Sequence, residues 1–220
     1  YEKPEIPEKT KTRLDYGLRE DAILYLCSQS LFKYLPQHDW IFSEIARRVP
    51  QAQFAFLSNS KFVDKKFKKR LQQAFKQVNL DSEQYCLILP QQSWADYLNL
   101  NLISDIFLDT LDWSGGNTTL EAIACNLPVV TYPGEFMRGR HSYAILKMLG
   151  VTDTIAPNHA EYVEIAVKLG HDLEWRNNII QRMAERHSYL YDDKVSVEAL
   201  DNFYRQIVHT ELVKSEAALS

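Results

Sequence analysis

The sequence predicts an α/β domain built on a doubly wound parallel sheet. Short apolar runs alternate along the chain with longer amphipathic stretches, which is typical of strands that are joined by crossover helices. The connections between these segments are short, as α/β units prefer. The chain has 220 residues and is 45% hydrophobic, so it is large enough to bury a full core.

The predicted elements follow one another in a regular order. The apolar runs predict strands at 22–27, 52–57, 85–89, 106–108 and 128–132, with a weaker one at 152–156. The stretches between them predict helices at 39–48, 63–78, 94–102, 118–125, 141–149 and 160–169. In the helix at 63–78 the apolar residues recur every three or four positions, and the lysines form an opposite, solvated face.

The two ends of the chain differ from this alternation. Residues 1–13 are charged, contain proline and lack periodicity, so we interpret 1–16 as a linker that precedes a domain at 17–172. Beyond residue 172 the pattern is wholly helical, with amphipathic helices at 175–191 and 195–213. We therefore expect a C-terminal helical extension at 173–220, and we interpret the chain as a fragment of a longer protein.

Composition argues against several classes of function. The formal net charge of −4 argues against a nucleic-acid binder, and no apolar run is long enough for a membrane span. Since we find no membrane span, we expect a soluble, cytoplasmic protein. Cys27, Cys86 and Cys125 each lie in or beside an apolar segment, so we expect reduced, buried thiols. The six histidines are scattered without metal-ligand spacing, so no metal site is predicted.

The loop after the fourth strand is the strongest candidate for a ligand site. Asp109 closes the strand, and two glycines then precede Asn117 and the pair Thr118 and Thr119 at a helix start. In a doubly wound sheet ligands bind beyond the carboxyl ends of the strands, and a helix N-terminus attracts anions. Glu121, one turn further on, could accept the hydroxyls of a ribose. An ordinary glycine turn with threonine caps would give the same pattern.

Three other strand-end loops carry candidate residues. Lys33 follows the first strand and could neutralise a leaving diphosphate, although a lone lysine is commonly a solvated charge. Tyr97 and Trp94 follow the third strand and could stack on a nucleobase or pack in the core. The loop 133–141 carries two arginines and a histidine that could face the sugar or the acceptor, or only solvent.

Taken together, these loops resemble the C-terminal catalytic lobe of the O-linked N-acetylglucosamine transferase and SPINDLY family, glycosyltransferase family 41. The resemblance spans most of 17–172 and is carried by LREDAILYL, SLFK, ISDIFLDT, GGNTTLEAI, LPVVTYPGE and YVEIAVKLG. It implies one Rossmann-like lobe of a glycosyltransferase B-type fold that takes part in inverting transfer of a sugar to Ser or Thr. It also implies an absent N-terminal lobe, upstream helical repeats and no metal cofactor.

The resemblance assigns roles to particular residues of this chain. It implies that Lys33 is the catalytic residue and contacts the leaving diphosphate. It also implies that Thr118 and Thr119 bind the phosphates. Glu121 matches an acidic ribose ligand when one gap is allowed. Tyr97 and Asn117 each stand where the animal transferase has a histidine, and Tyr97 would stack on the base. With these residues, Ser30 and Gly116 complete the predicted nucleotide-sugar site.

The identity of the donor stays open at this point. UDP-N-acetylglucosamine is the first expectation, and GDP-fucose, as in the SPINDLY branch, is the near alternative. A nucleotide-binding or interaction module without catalysis is a third possibility. The nucleotide sugar would be a substrate, so we expect no cofactor. The expected partners are the nucleotide sugar, a protein acceptor and the absent lobe, and we expect the chain alone to bind nucleotide but to transfer little or no sugar.

Overall fold

A computed structural model of the chain describes residues 1–58 and 60–219, with side chains included except within 210–219. Its centre is a five-stranded sheet in the order β3-β2-β1-β4-β5, and all neighbouring strands are parallel. The strands are β1 (Ile23–Cys27), β2 (Ala52–Leu57), β3 (Cys86–Leu89), β4 (Ile106–Leu108) and β5 (Val129–Val130). The predicted α/β class with a doubly wound parallel sheet is therefore confirmed.

Helices connect the strands and cover both faces of the sheet. The described part of the chain contains α1 (Trp40–Arg48), α2 (Lys61–Gln77), α3 (Ser82–Tyr85), α4 (Trp94–Ile103), α5 (Asn117–Ala124), α6 (His141–Leu149), α7 (His159–His171), α8 (Leu173–Ala184) and α9 (Val195–Leu219). Because connections between parallel strands are right-handed, the helices change from one face of the sheet to the other where the strand order reverses, after β3. Accordingly, α1 packs on α2 and α7, whereas α4 packs on α5.

The core lies on both faces of the central strands. Residues 24–27 of β1 are completely buried, as expected for a parallel strand with helices on either side. On one face an aromatic cluster surrounds Phe56, whose ring centroid lies 5.5 Å from that of Tyr34, 5.1 Å from Phe42 and 5.0 Å from Phe67. These three edge-to-face contacts join β2 to α1, to α2 and to the segment that follows β1.

The predicted strand at 152–156 is wrong. This segment contributes only an isolated parallel bridge between Ile155 and Thr131. The backbone N–H of Ile155 donates to the carbonyl of Thr152 at 3.1 Å, and this bond closes a turn that prevents a longer strand. The strand predicted at 128–132 is likewise shortened to Val129–Val130.

The helix predicted at 175–191 ends early. Helix α8 stops at Ala184, and a 3₁₀ turn at His187–Tyr189 follows it. His187 and Tyr191 hydrogen-bond the carbonyls of Ile123 (2.9 Å) and Leu120 (2.5 Å) on α5, so this stretch follows α5 and cannot continue as a helix. Residues 195–209 of α9 are all exposed.

The N-terminal segment runs along the surface of α4. The backbone N–H groups of Thr10 and Lys11 donate to the side-chain oxygen of Asn99 at 2.9 and 3.1 Å. Arg13 forms an ion pair with Asp105 at 2.8 Å. Residues 1–13 contain no helix or strand, and the division into linker, domain and extension stays a prediction.

The three cysteines are free, but they are not equally buried. Cys27 is completely buried, whereas Cys86 and Cys125 are partly exposed because they lie on the edge strand β3 and at the end of α5. Within the described residues, no helix combines the length and the apolar character that spanning a bilayer requires.

Replacing Phe56 with alanine should strongly destabilise the protein, because the ring fills the centre of the aromatic cluster. Removing a buried phenyl ring typically lowers the free energy of unfolding by about 3–5 kcal/mol. Phe62→Ala is the matched control, since this ring on α2 is exposed and its loss should change the value by less than about 0.5 kcal/mol. Urea denaturation followed by circular dichroism measures both, and equal losses would contradict the described packing.

Candidate functional site

The candidate site lies beyond the carboxyl ends of the strands, at the point where the strand order reverses. Strands β1 and β4 are neighbours there, and their connections leave in opposite directions. This arrangement opens a crevice between the loop after β1 and the loop after β4. The loop after β3 closes one side of the crevice, and most of the predicted site residues line it or border it.

The loop between β4 and α5 is shaped by the buried carboxylate of Asp109. One carboxylate oxygen accepts from the backbone N–H of Gly115 at 2.7 Å. The other accepts from the hydroxyls of Ser114 and Thr131, each at 2.7 Å. Burial raises the pKa of Asp109, and these hydrogen bonds oppose that shift. The carboxylate thereby ties the glycine loop to the end of β5.

Helix α5 begins at Asn117 with no side-chain cap, and Gly116 occupies the capping position. The first backbone N–H groups of a helix lack partners within the helix, so this end can bind an anion. The predicted threonines differ here. The hydroxyl of Thr118 lies toward the crevice, whereas Thr119 is buried and its hydroxyl bonds the carbonyl of Gly115 (3.1 Å) and the hydroxyl of Ser142 (2.7 Å).

Lys33 reaches this helix end through one buried side chain. The ammonium of Lys33 donates to the side-chain oxygen of Gln29 at 2.8 Å, and the amide nitrogen of Gln29 donates to the hydroxyl of Thr118. Partial burial lowers the pKa of Lys33, and the charge of Asp109 opposes that change. The structure therefore brings Lys33 and Thr118 together, 85 positions apart in sequence, by the contact that Gln29 makes with both.

Glu121 lies on the same helix as Thr118, one turn further on, and both residues line the crevice. Glu121 is 7% exposed, and burial raises the pKa of its carboxyl while a hydrogen bond from Tyr97 opposes the rise. The hydroxyl of Tyr97 also lies 3.4 Å from the hydroxyl of Ser28. Glu121, Tyr97, Ser28, Ser30 and Thr118 line a cleft of about 400 Å³, which can hold a small polar ligand.

An exposed aromatic side chain also lines this cleft. Trp94, the first residue of α4, is 54% exposed, and its ring centroid lies 6.4 Å from that of Tyr97. Tyr97 is only partly exposed, and its hydroxyl contacts Ser28 and Glu121. Trp94 therefore offers the more accessible ring. Asn117 is exposed at the start of α5, outside the lining of this cleft.

The loop after β5 forms the outer border of the site. Arg140 donates to the carbonyl of Gly134 at 3.0 Å, within its own loop. The guanidinium of Arg138 lies 5.9 Å from the centre of the Trp113 ring, and the ammonium of Lys33 lies 5.8 Å from the same ring. Arg140 is thus engaged within its own loop, whereas Arg138 and Lys33 contact the same ring. Of the two arginines, Arg138 is therefore the better candidate for a role that faces the ligand.

Several residues of the site were absent from the predicted set. Asp109 follows β4 directly and Gln29 is the second residue after β1, so a polar residue at or near a strand end was the available signal. Gly115 is the sterically demanding glycine: a Cβ there would lie 2.6 Å from Thr118 Oγ1 and 2.7 Å from Gln29 Nε2. Within the described residues, no group of three His, Cys, Asp or Glu side chains is arranged to hold a metal ion.

Comparison with known proteins gives a consistent result. The model of glycosyl transferase family 41 matches residues 3–200. Two curated relatives are named UDP-N-acetylglucosamine--peptide N-acetylglucosaminyltransferase: the protein of Giardia intestinalis is 24% identical over 80% of this chain and 12% of its own, and that of Caenorhabditis elegans is 26% identical over 92% and 18%. The chain thus spans less than a fifth of either relative.

A solved structure extends the likeness to three dimensions. The K341M mutant of the Thermobaculum terrenum O-GlcNAc transferase superposes with a TM-score of 0.74 at 26% identity, over 87% of this chain and 37% of that one. Anabaena HepE, solved with UDP and glucose, has a TM-score of 0.63 at 18% identity over 91% and 51% of the two chains, and it supports the fold alone.

Adding a methyl group at Gly115 should disturb the site, because the new Cβ would come within 2.7 Å of three polar side-chain atoms. Overpacking of this kind costs about 1–3 kcal/mol, which urea denaturation of Gly115→Ala can measure. Gly116→Ala is the matched control: no heavy atom lies within 4 Å of its added Cβ, so the loss should be distinctly smaller. A larger loss at Gly116 would contradict the described loop.

Proposed function

Because the chain belongs to glycosyl transferase family 41, we propose that it is the donor-binding lobe of an inverting glycosyltransferase. The reaction is transfer of N-acetylglucosamine from UDP-N-acetylglucosamine to Ser or Thr hydroxyls of proteins. The names of the Giardia and Caenorhabditis relatives support this donor and a peptide acceptor, and the name of the Thermobaculum relative supports transfer of N-acetylglucosamine. The residues that the family model matches, 3–200, include all those that line the crevice.

The observation that carries the proposal is the junction of Lys33 with the start of α5. Cleavage of a nucleotide sugar leaves negative charge on the diphosphate, and a catalyst must stabilise that charge as it develops. Lys33 supplies an ammonium, and the uncapped end of α5 supplies backbone N–H groups and a positive helix dipole. We propose that the diphosphate lies between them and that these groups serve in place of a metal ion.

The remaining groups suit the nucleoside. A buried carboxylate can accept two hydroxyl hydrogen bonds, and Glu121 lines the cleft without an ion pair to any residue that the structure describes. We propose that Glu121 binds the ribose. Trp94 and Tyr97 would then form the aromatic wall for the base, with Trp94 providing the exposed ring. Thr119 would hold the loop through its buried hydroxyl and would not contact the phosphates, since its backbone N–H already donates to the carbonyl of Gly116 at 3.0 Å.

Other parts of the enzyme are proposals that rest on the length of the relatives. The chain covers 37% of the Thermobaculum transferase, so a second lobe is proposed to complete the active site and to position the acceptor. Helical repeats upstream would present protein substrates to that site. A cytoplasmic location stays a prediction.

Replacing Lys33 with alanine should weaken UDP binding by about 10- to 100-fold, because a hydrogen bond to a charged group contributes about 1.5–3 kcal/mol. Isothermal titration of UDP into the wild type and Lys33→Ala measures the change. Lys69→Ala is the charge-matched control, since this exposed lysine on α2 lies away from the crevice and its loss should leave affinity unchanged. An unchanged affinity in Lys33→Ala would overturn the proposed phosphate site.

The same titration distinguishes the alternatives. Binding of GDP in preference to UDP would support a GDP-fucose donor. No binding of either nucleotide would support an interaction module without a donor site. We expect UDP to bind more tightly than GDP and more tightly than uridine, since uridine lacks the diphosphate.

The chain by itself should transfer little or no sugar, because the acceptor would be positioned largely by the second lobe. Incubating the 220-residue chain with UDP-N-acetylglucosamine and a Ser-rich peptide, followed by mass spectrometry, should give no glycopeptide above background. UDP binding in the same preparation is the positive control for folding. Robust glycosylation would contradict the proposal that the active site needs both lobes.

A further inference from the structure

The side chain of Gln29 lies between the ammonium of Lys33 and the hydroxyl of Thr118 in the proposed phosphate site. It is 3% exposed, although it belongs to a loop and carries a polar amide. Its oxygen accepts from the ammonium of Lys33 at 2.8 Å, and its nitrogen donates to the hydroxyl of Thr118. Both hydrogen-bonding ends of one buried amide are therefore used within the site.

Residues outside the loop of Gln29 help to fix its position. Its backbone N–H donates to the hydroxyl of the buried Tyr34 at 3.2 Å. The absence of a side chain at Gly115 provides the room for the amide, because a Cβ there would lie 2.7 Å from the Gln29 nitrogen. The amide of Gln29 is thus bonded at the start of α5 and next to Gly115, and the ammonium of Lys33 bonds to it there.

The amide of Gln29 satisfies both neighbours without adding charge. An ammonium has donors and no acceptor, so its partner must offer an oxygen, while the contact to Thr118 uses a donor. A carboxylate at this place would add a negative charge beside the proposed diphosphate and would attract the ammonium more strongly. An aliphatic side chain would leave the long, flexible lysine without a partner on this side.

The charged groups around Lys33 come from several elements. Asp109 faces it from the end of β4, and Arg138, from the loop after β5, shares the ring of Trp113 with it. His38, from the loop that precedes α1, lines a small cavity together with Lys33 and Asp109. Partial burial lowers the pKa of Lys33, and Asp109 is the carboxylate that opposes this shift.

We propose that Gln29 is a positioning residue that holds the ammonium of Lys33 against the start of α5, so that a diphosphate meets both groups already aligned. The inference rests on the proposed function. Gln29 acts through Lys33 by keeping the ammonium in place before the ligand arrives, which reduces the conformational freedom that binding must remove. Its effect therefore depends on the presence of Lys33.

The first test is a double-mutant cycle on UDP affinity. Gln29→Leu should weaken UDP binding by about fivefold to tenfold, the effect of losing one hydrogen bond, and should leave uridine binding unchanged. In the Lys33→Ala background the same substitution should have no further effect, because the group on which Gln29 acts is gone. An equal effect of Gln29→Leu in both backgrounds, or an equal effect on uridine and UDP, would overturn the proposal.

The second test uses Gln29→Glu and the pH dependence of UDP binding. Lysine binds the diphosphate as a cation, so affinity is present below the pKa of Lys33 and is lost as pH rises through it. A carboxylate beside the ammonium raises that pKa, so the alkaline loss should move to higher pH than in the wild type, while affinity at neutral pH falls. An unmoved alkaline limb would overturn the proposal.

The outcomes separate this inference from the proposed function. If the wild type binds UDP no better than uridine, the proposed function fails and the inference fails with it. If the wild type prefers UDP and Lys33→Ala removes the preference, but both Gln29 variants behave as the wild type, only the inference fails. Thermal unfolding of each variant checks the fold, and Gln29→Glu, which is nearly isosteric, serves if Gln29→Leu does not fold.

Discussion

The carboxylate of Asp109 is the constraint on which the rest of the candidate site depends. Placing a carboxylate in the interior is unfavourable unless donors surround it, and here one backbone N–H and two hydroxyls do so at 2.7 Å each. The backbone carbonyl of the same residue accepts from the hydroxyl of Tyr162 on α7 at 2.7 Å. One residue at the end of β4 therefore fixes the glycine loop, the end of β5 and a helix of the opposite layer.

Two successive turns of α5 border the crevice and differ in charge. At the first turn Gln29 joins Lys33 to the start of α5, where positive charge and backbone donors suit a diphosphate. One turn further along α5, Glu121 is buried beside the hydroxyl of Tyr97, where an acceptor suits the hydroxyls of a sugar. A ligand that has a diphosphate next to a ring with hydroxyl groups matches this arrangement better than a uniformly charged ligand does.

The sequence was sufficient for the architecture and for the loops that border the candidate site. The alternation of apolar runs predicted the five strands, together with a sixth that does not form, because a parallel strand is buried on both faces; the glycine loop predicted a helix start. Local patterns could not reveal that 152–156 closes a turn. Nor could they reveal that Thr119 is buried or that Gln29 bridges to a residue 89 positions away, since such facts depend on tertiary packing.

A crystal structure of this chain with bound UDP would test the central claim most directly. The account predicts that the diphosphate lies between the ammonium of Lys33 and the backbone N–H groups at the start of α5, with the ribose hydroxyls on Glu121. The base should then lie along Trp94. A diphosphate bound outside this crevice, or a nucleotide in the reverse orientation with its base beside Lys33, would contradict the account.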